Sequence, residues 1–240
     1  MHLSNKIRSI NEGDRVLEVG PGGKPHPRAD LFLELDFEGD DKEALAQRAF
    51  QKNLQTEKEV VYYNGRDFPF SDKEFDYVIC SHVLEHVEDV GKFLAEMFRV
   101  SRKGYLEYPT IYYDYIFKIP EHLNLLLYKN GKINWMKHDD VFDATYDRIR
   151  EFYYRSLFNN YWIKDYKTLF FQGYEWETPI PNQRVNTLKE ITYEPEELDK
   201  ILPPKKEDIH RLYHVIYNQE AKGVKMMLRK LHYKLGEFLK

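Results

Sequence analysis

The sequence predicts an α/β fold: a doubly wound, mostly parallel sheet followed by an aromatic-rich insertion or lid and a C-terminal helical segment. Three observations carry this. The run Val16-Leu17-Glu18-Val19 ends in Gly20-Pro21-Gly22-Gly23, the pattern of a buried strand that delivers its end to a tight, glycine-dense turn. Further short apolar runs follow at Leu31–Leu35, Val60–Tyr63, Tyr77–Cys80 and Tyr105–Tyr108, with helical spacing between them. The 240 residues are 42% hydrophobic and 32% charged, which is ordinary for a globular chain with a real core.

In order along the chain, Leu3, Ile7 and Ile10 predict a short helix before the turn at Asn11–Asp14. Pro25 and Pro27 preclude a long helix after the glycine turn, so a compact connection leads to the second strand, which ends in acids. Asp40-Asp41 caps a helix over about 42–52, and the third and fourth strands follow. Val90, Phe93, Leu94, Met97 and Phe98 set a helix over 87–100, and the fifth strand closes at Pro109. Beyond it, 111–147 is rich in Tyr, His and Trp with poor periodicity, as expected of a lid over the ligand edge. Residues 148–157 predict a helix, and 169–177 predict a hairpin turning at Gln172-Gly173. The proline-rich stretch 180–204 reads as loop, and the apolar spacing from Ile209 to Leu235 as a terminal helix or helix pair bent near Gly223. The domain scheme is therefore 1–110 as a ligand-binding half, 111–157 as the insertion, 158–204 as remaining strands and loop, and 205–240 as the helical segment.

A net charge of −4 gives no argument for a nucleic-acid partner. The charge is uneven, with nine Lys/Arg against four Asp/Glu from Ile201 onward. A single cysteine, Cys80, excludes an internal disulfide and fits a reducing compartment. No apolar run has the length of a membrane span and no signal segment is read, so a cytoplasmic location is expected.

Four pieces then fall in one order: Val16-Leu17-Glu18-Val19-Gly20-Pro21-Gly22-Gly23; Asn64-Gly65-Arg66-Asp67-Phe68-Pro69-Phe70; Phe75-Asp76-Tyr77-Val78-Ile79-Cys80-Ser81-His82-Val83-Leu84-Glu85-His86-Val87; and Phe98-Arg99-Val100-Ser101 before Gly104. In these motifs residues 13–110 resemble the class I S-adenosylmethionine-dependent methyltransferases, in particular methyltransferase-domain proteins found with surface-polysaccharide synthesis. The resemblance implies a seven-stranded, Rossmann-like sheet and S-adenosyl-L-methionine as cofactor. It implies that Gly20, Pro21, Gly22 and Gly23 underlie the cofactor, with Glu18 meeting its ammonium or else orienting the loop. An acid at the end of the second strand grips the ribose hydroxyls, since one carboxylate accepts from both. Glu34 and Asp36 both compete for this role, the strand end favouring Glu34. Asn64 stands where the family carries an acid for the adenine amino group, with Gly65 offering a backbone N–H. A plain Asn-Gly turn is the alternative, and Asp67 the fallback contact. Ser81 and His82 face the cofactor.

The same stretch contains His82-x-x-Glu85-His86, the pattern of inverted zinc peptidases. A strand ends just before His82, the glycine turn lies upstream, and no downstream glutamate motif supplies a third ligand, so no metal is assigned. A hydroxyl acceptor profits from a base. The candidates are His82, His122, His138 and Asp139, with Glu107 and Tyr108 at the fifth strand end. Tyr112, Tyr113, Tyr115, Trp135 and Tyr146 either stack on sugar rings or form a small core of their own.

The resemblance thus implies methyl transfer to oxygen of a saccharide or glycan precursor. A quinone-like, phenolic or lipid acceptor is the alternative, and a non-catalytic scaffold with a degenerate fold is the reading from another class. The basic segment 205–240 is a solvated face or a peripheral contact with an anionic membrane or glycolipid.

Overall fold

The computed structural model describes residues 1–36, 56–140, 163 and 166–201. The expected helices at 42–52, 148–157 and 205–240, and with them Tyr146 and the basic segment, lie outside the described residues. No described helix is long and apolar enough to cross a membrane.

The main sheet contains β1 (Val16–Val19), β2 (Leu31–Leu35), β3 (Val60–Tyr63), β4 (Phe75–Ser81), β5 (Ser101–Pro109) and β8 (Phe171–Trp176), in the order β3-β2-β1-β4-β5-β8. All neighbours are parallel except β5 and β8. Six strands of this sheet are thus seen among the described residues, where the resemblance implies seven. Pairing runs outward on both sides from β1, whose four residues are all buried. Side chains alternate between two covered faces, as a parallel sheet requires. Leu17, Leu33, Val78 and Leu106 point into the larger core, and Val16, Tyr77, Ile79 and Tyr105 into a smaller one that Ile7 and Ile10 cover.

Helix α1 (Val90–Val100) closes the larger core through Val90, Phe93, Leu94 and Met97, and the Asp89 side chain caps it by accepting from Lys92 N at 3.0 Å. Arg99 in its last turn donates to the Phe68 and Phe70 carbonyls at 2.9 and 2.7 Å, fastening the loop that links β3 to β4.

Three expectations are corrected. Only Ser4–Lys6 forms a helical turn near the start, because the Arg8 and Ser9 amides are captured by Glu175 Oε1, both at 2.8 Å, and not by helical carbonyls. Gln172-Gly173 does not turn: Phe171–Trp176 is one strand, preceded by the short helix α3 (Lys167–Phe170). Gly173 is there for packing, since a Cβ would collide with the Tyr105 hydroxyl. The described part of the insertion, 111–140, contains α2 (Ile111–Phe117), β6 (Asn124–Lys129) and β7 (Lys132–Lys137), and β9 (Asn182–Arg184) pairs with β7 to give a second, three-stranded sheet. The supposed loop 180–204 therefore contains β9, a 3₁₀ turn at Leu188–Ile191 and α4 (Pro195–Ile201). Met1–Tyr193 and Glu194–Lys240 are separate compact units.

Candidate active site

The carboxyl ends of β1, β2, β3 and β4 converge on one side of the sheet, and a cavity of about 990 Å³ opens there. An open sheet of this kind takes its ligands in such a crevice. Its floor is Val19 and Gly20 from β1, Leu33, Glu34 and Leu35 from β2, and residues 63–67 after β3. Its far wall is His82, Val83 and His86 after β4, Glu88 and Asp89 before α1, and the first turns of α1 as far as Glu96.

The chain leaves β1 at Gly20 with φ +63°, a left-handed conformation that glycine adopts without penalty, while Gly20 N donates to Leu33 O at 2.9 Å. As expected, no helix follows over 24–28. Pro21, Gly22 and Gly23 do not line the cavity, and neither does Glu18. Glu18 is buried and its Oε2 accepts from His26 N at 2.7 Å, so it ties the glycine turn back against the strand.

Burial pushes the Glu18 carboxyl up to about 7, against the pull of that hydrogen bond. A carboxyl raised from its ordinary 4.5 stabilises the fold fully below 4.5, and that stability is lost as pH rises through about 7. Glu18→Gln, which keeps an acceptor for His26 N, is therefore expected to gain on the wild type by up to ~3 kcal/mol between about pH 5 and pH 8. Urea unfolding across that range checks it; parallel curves would show that Glu18 ionises freely.

At the second strand, the half-buried Glu34 lines the cavity, whereas Asp36, one residue past the strand, is exposed and does not. After β3, Asn64 Oδ1 accepts from Arg66 N at 3.1 Å in an Asx turn that puts Gly65 at φ +79°. Both residues, and Asp67, line the cavity.

His82 follows β4 at φ +58°, with its backbone N donating to Glu107 O at 2.9 Å. Its ring sits between two buried carboxylates, Nε2 being 3.0 Å from Glu107 Oε1 and Nδ1 3.3 Å from Glu85 Oε1. Burial alone would lower the pKa of this ring. The hydrogen bond to Glu107 and the contact with Glu85 outweigh that and lift it to about 9. At neutral pH His82 is an imidazolium without a free lone pair, an arrangement that suits charge and positioning and not proton acceptance. Ser81 turns inward to Glu107 Oε1 at 3.2 Å and does not line the cavity.

The other base candidates stand elsewhere. His122 is buried against Asp114, Nδ1 to Oδ1 at 2.6 Å. His138 is buried and Asp139 exposed, and none of the three lines the cavity. Glu107 and Tyr108 are buried in the sheet. The described aromatics of the insertion pack against other parts of the protein or face solvent: Tyr113 packs with Leu3, Phe170 and Phe171, Trp135 against the larger core, Tyr112 stacks on Tyr193, and Tyr115 is exposed.

Sequence reasoning missed Tyr63, Arg66, Glu88, Asp89, Lys92 and Glu96 in the cavity wall. The signal was present for Lys92 and Glu96, on the polar face of a helix whose apolar face was read, and for Glu88 and Asp89 in the residues that lead into it.

With this geometry in hand, comparison with known proteins shows that residues 17–106 match the family model described as "Methyltransferase domain". The chain is similar to a demethylmenaquinone methyltransferase of Renibacterium salmoninarum, 34% identical over 97 residues, which cover 38% of each protein. It is similar to a phosphatidylethanolamine N-methyltransferase of Cereibacter sphaeroides, 30% identical over 38% of this chain and 47% of that one. A solved S-adenosylmethionine-dependent methyltransferase of Mesorhizobium loti is 19% identical over 51% of this chain and 56% of that one, with a TM-score of 0.31. The chain spans 38% of the first of these curated relatives and 65% of another, so the likeness is to part of each.

Proposed function

We propose that residues 17–106, which match the model described as "Methyltransferase domain", form a class I, S-adenosylmethionine-dependent methyltransferase domain, and that the whole protein transfers a methyl group to an oxygen of a hydroxyl-rich small molecule, a saccharide or glycan precursor. The observation that carries the reading is the cavity at the carboxyl ends of β1 to β4, with Glu34 in its wall and Gly20 at its floor.

The residues present fit the cofactor. Gly20 and Gly65 both hold positive φ at the cavity surface, where a side chain would be strained and would close the space. Glu34 offers a carboxylate for paired hydroxyls, and Asn64 keeps a second lone pair on Oδ1 beyond the one that Arg66 N uses. When bound, S-adenosylmethionine supplies an electrophilic methyl group for in-line displacement. The chain's part is then to align the two reactants and exclude water. Glu34 orients the ribose, Asn64 and Gly65 meet the adenine edge, and the Glu107–His82–Glu85 array fixes the wall opposite.

The polar and charged side chains of the cavity wall, among them Arg66, Glu88, Lys92 and Glu96, support an acceptor rich in hydroxyls. The relatives named for demethylmenaquinone and phosphatidylethanolamine support a second reading, a quinone-like or lipid acceptor. Methyl-labelled cofactor offered with nucleotide sugars, oligosaccharides and quinone-like phenols separates the two by the product formed. No transfer to any saccharide overturns the first.

Cofactor binding is tested by calorimetry. Glu34→Gln removes a charge-assisted hydrogen-bond pair, so S-adenosylmethionine affinity is expected to fall about 10- to 100-fold. Asp36→Asn is expected to leave it unchanged. The reverse order would move the ribose contact to Asp36.

A further inference from the structure

Behind the cavity wall, and reaching it at the half-buried His86, lies a group with two buried members, Glu85 and His122. Glu85 sits in the 3₁₀ turn Leu84–His86 with 0% of its surface exposed, and neither carboxylate oxygen accepts a hydrogen bond. Oε1 lies 3.3 Å from His82 Nδ1 and 3.9 Å from His86 Nε2, and neither contact is a hydrogen bond. A buried carboxylate so placed is costly unless something else satisfies it.

His122, on the connection from α2 to β6, completes the group. Leu123 N donates to Glu85 O at 2.8 Å, which pins the two segments together, and the His86 and His122 rings meet edge to face at 4.8 Å. One ligand atom from each of Glu85, His86 and His122 lies within 4.8 Å of the others.

Both imidazoles are oriented from behind. His86 Nδ1 is 2.9 Å from the Glu121 carbonyl, and His122 Nδ1 is 2.6 Å from Asp114 Oδ1. A carbonyl or carboxylate oxygen only accepts, so Nδ1 carries the proton in each ring and the neutral form presents its lone pair at Nε2. Histidines that ligate metals are held in this way, by a carboxylate or a backbone carbonyl on the second nitrogen.

We propose that Glu85, His86 and His122 bind a zinc ion, with Asp114 and the Glu121 carbonyl orienting the two histidines and a fourth position open beside the cavity wall at His86. Two imidazoles and one carboxylate with an open position are a recognised catalytic zinc set. A tetrahedron of ~2.1 Å bonds has edges of ~3.4 Å, so the group must contract on binding, chiefly by a shift of the part-exposed His86 ring about its bond to the Glu121 carbonyl. This differs from the histidine pair suggested by His82-x-x-Glu85-His86, since His82 belongs to Glu107 and the second histidine comes from far along the chain. A Lewis acid here would lower the pKa of an acceptor hydroxyl where none of the four base candidates serves. That last use rests on the methyl-transfer reading; the binding of zinc does not.

The test is calorimetric titration of the metal-stripped full chain with Zn²⁺ and, separately, Mg²⁺, together with visible absorption on addition of Co²⁺. One equivalent of zinc is expected to bind, and Mg²⁺ not to compete. Glu85→Gln, His86→Gln and His122→Gln should each weaken zinc binding more than tenfold and remove the cobalt bands, and Asp114→Asn should weaken it 10- to 100-fold. Circular dichroism reports folding. If His122→Gln fails to fold, His86→Gln, at the cavity wall, decides. Absence of zinc binding, or variants that bind like the wild type through histidines elsewhere, overturns the proposal. S-adenosylmethionine calorimetry on the wild-type chain stands apart, so either reading can fail alone.

Discussion

Replacing Glu107 by alanine is expected to cost the fold about 3–5 kcal/mol at mildly acidic to neutral pH, among the largest losses available to a single side chain. Glu107 is completely buried in β5, yet its two oxygens receive the Leu3 amide at 2.8 Å, the Ser81 hydroxyl at 3.2 Å, the His82 ring at 3.0 Å, the Tyr105 hydroxyl and the His2 amide. Alanine strands those donors and leaves the His82 imidazolium with Glu85 alone. Leaving a charge buried after its partner is removed costs more than the pair contributed. The pH dependence identifies the cause. The paired carboxyl of Glu107 is held well below 4.5 despite its burial, chiefly by the His82 and Tyr105 hydrogen bonds, so its contribution is present above 4.5 and is lost on acidification. His82 is raised from 6.5 to about 9, so its contribution is complete below 6.5 and fades as pH approaches 9. The gap between wild type and Glu107→Ala should accordingly be widest between about pH 4.5 and 6.5 and narrow on either side. Urea unfolding over that range measures it. A loss below about 1 kcal/mol that does not vary with pH would mean that the array is not ionised as described.

Much of this was legible in the sequence, and what was not has physical causes. The five parallel strands and α1 could be read because each carries a period that burial imposes on its own residues. The Leu3–Ile10 helix and the Gln172-Gly173 turn misread because distant groups decide them: Glu175 takes the amides that a helix would have used, and Tyr105 requires the missing Cβ. The β6–β7 hairpin had a local signal that went unread. Asn130-Gly131, at φ +55° and +76°, is the two-residue turn that antiparallel strands favour, set among aromatics that obscured the alternation. Of the residues named from the sequence, Gly20, Glu34 and Asn64-Gly65 line the cavity because motif positions and strand ends coincide there. The Glu85–His86–His122 group was not, because its third member arrives through the packing of the α2–β6 connection onto the turn after β4. Spacing along one segment holds no trace of that.

The second large effect is at Gly20. Gly20→Ala is expected to lower stability by about 2–5 kcal/mol and to weaken S-adenosylmethionine binding at least 100-fold. Two costs add. Alanine at φ +63° carries the left-handed penalty of about 1–2 kcal/mol, and its Cβ collides with Val83 Cγ2, an overlap typical of overpacking at about 1–3 kcal/mol. The overlap is relieved only by moving the turn after β1 or by moving Val83, and both line the cavity, Val83 being the neighbour of His82. A shift of about 1 Å in either wall is enough to misplace bound groups, so stability and affinity fall together. The two costs separate in a second variant. Val83→Ala in the Gly20→Ala background removes the steric part and leaves the backbone part, so more than half of the lost stability should return while affinity recovers only partly. Thermal unfolding and calorimetry on the two single variants and the double variant complete the cycle. Additive effects, with no recovery in the double variant, would show that the strand end and the turn after β4 do not press on one another, and the glycine would then be required for its backbone angle alone.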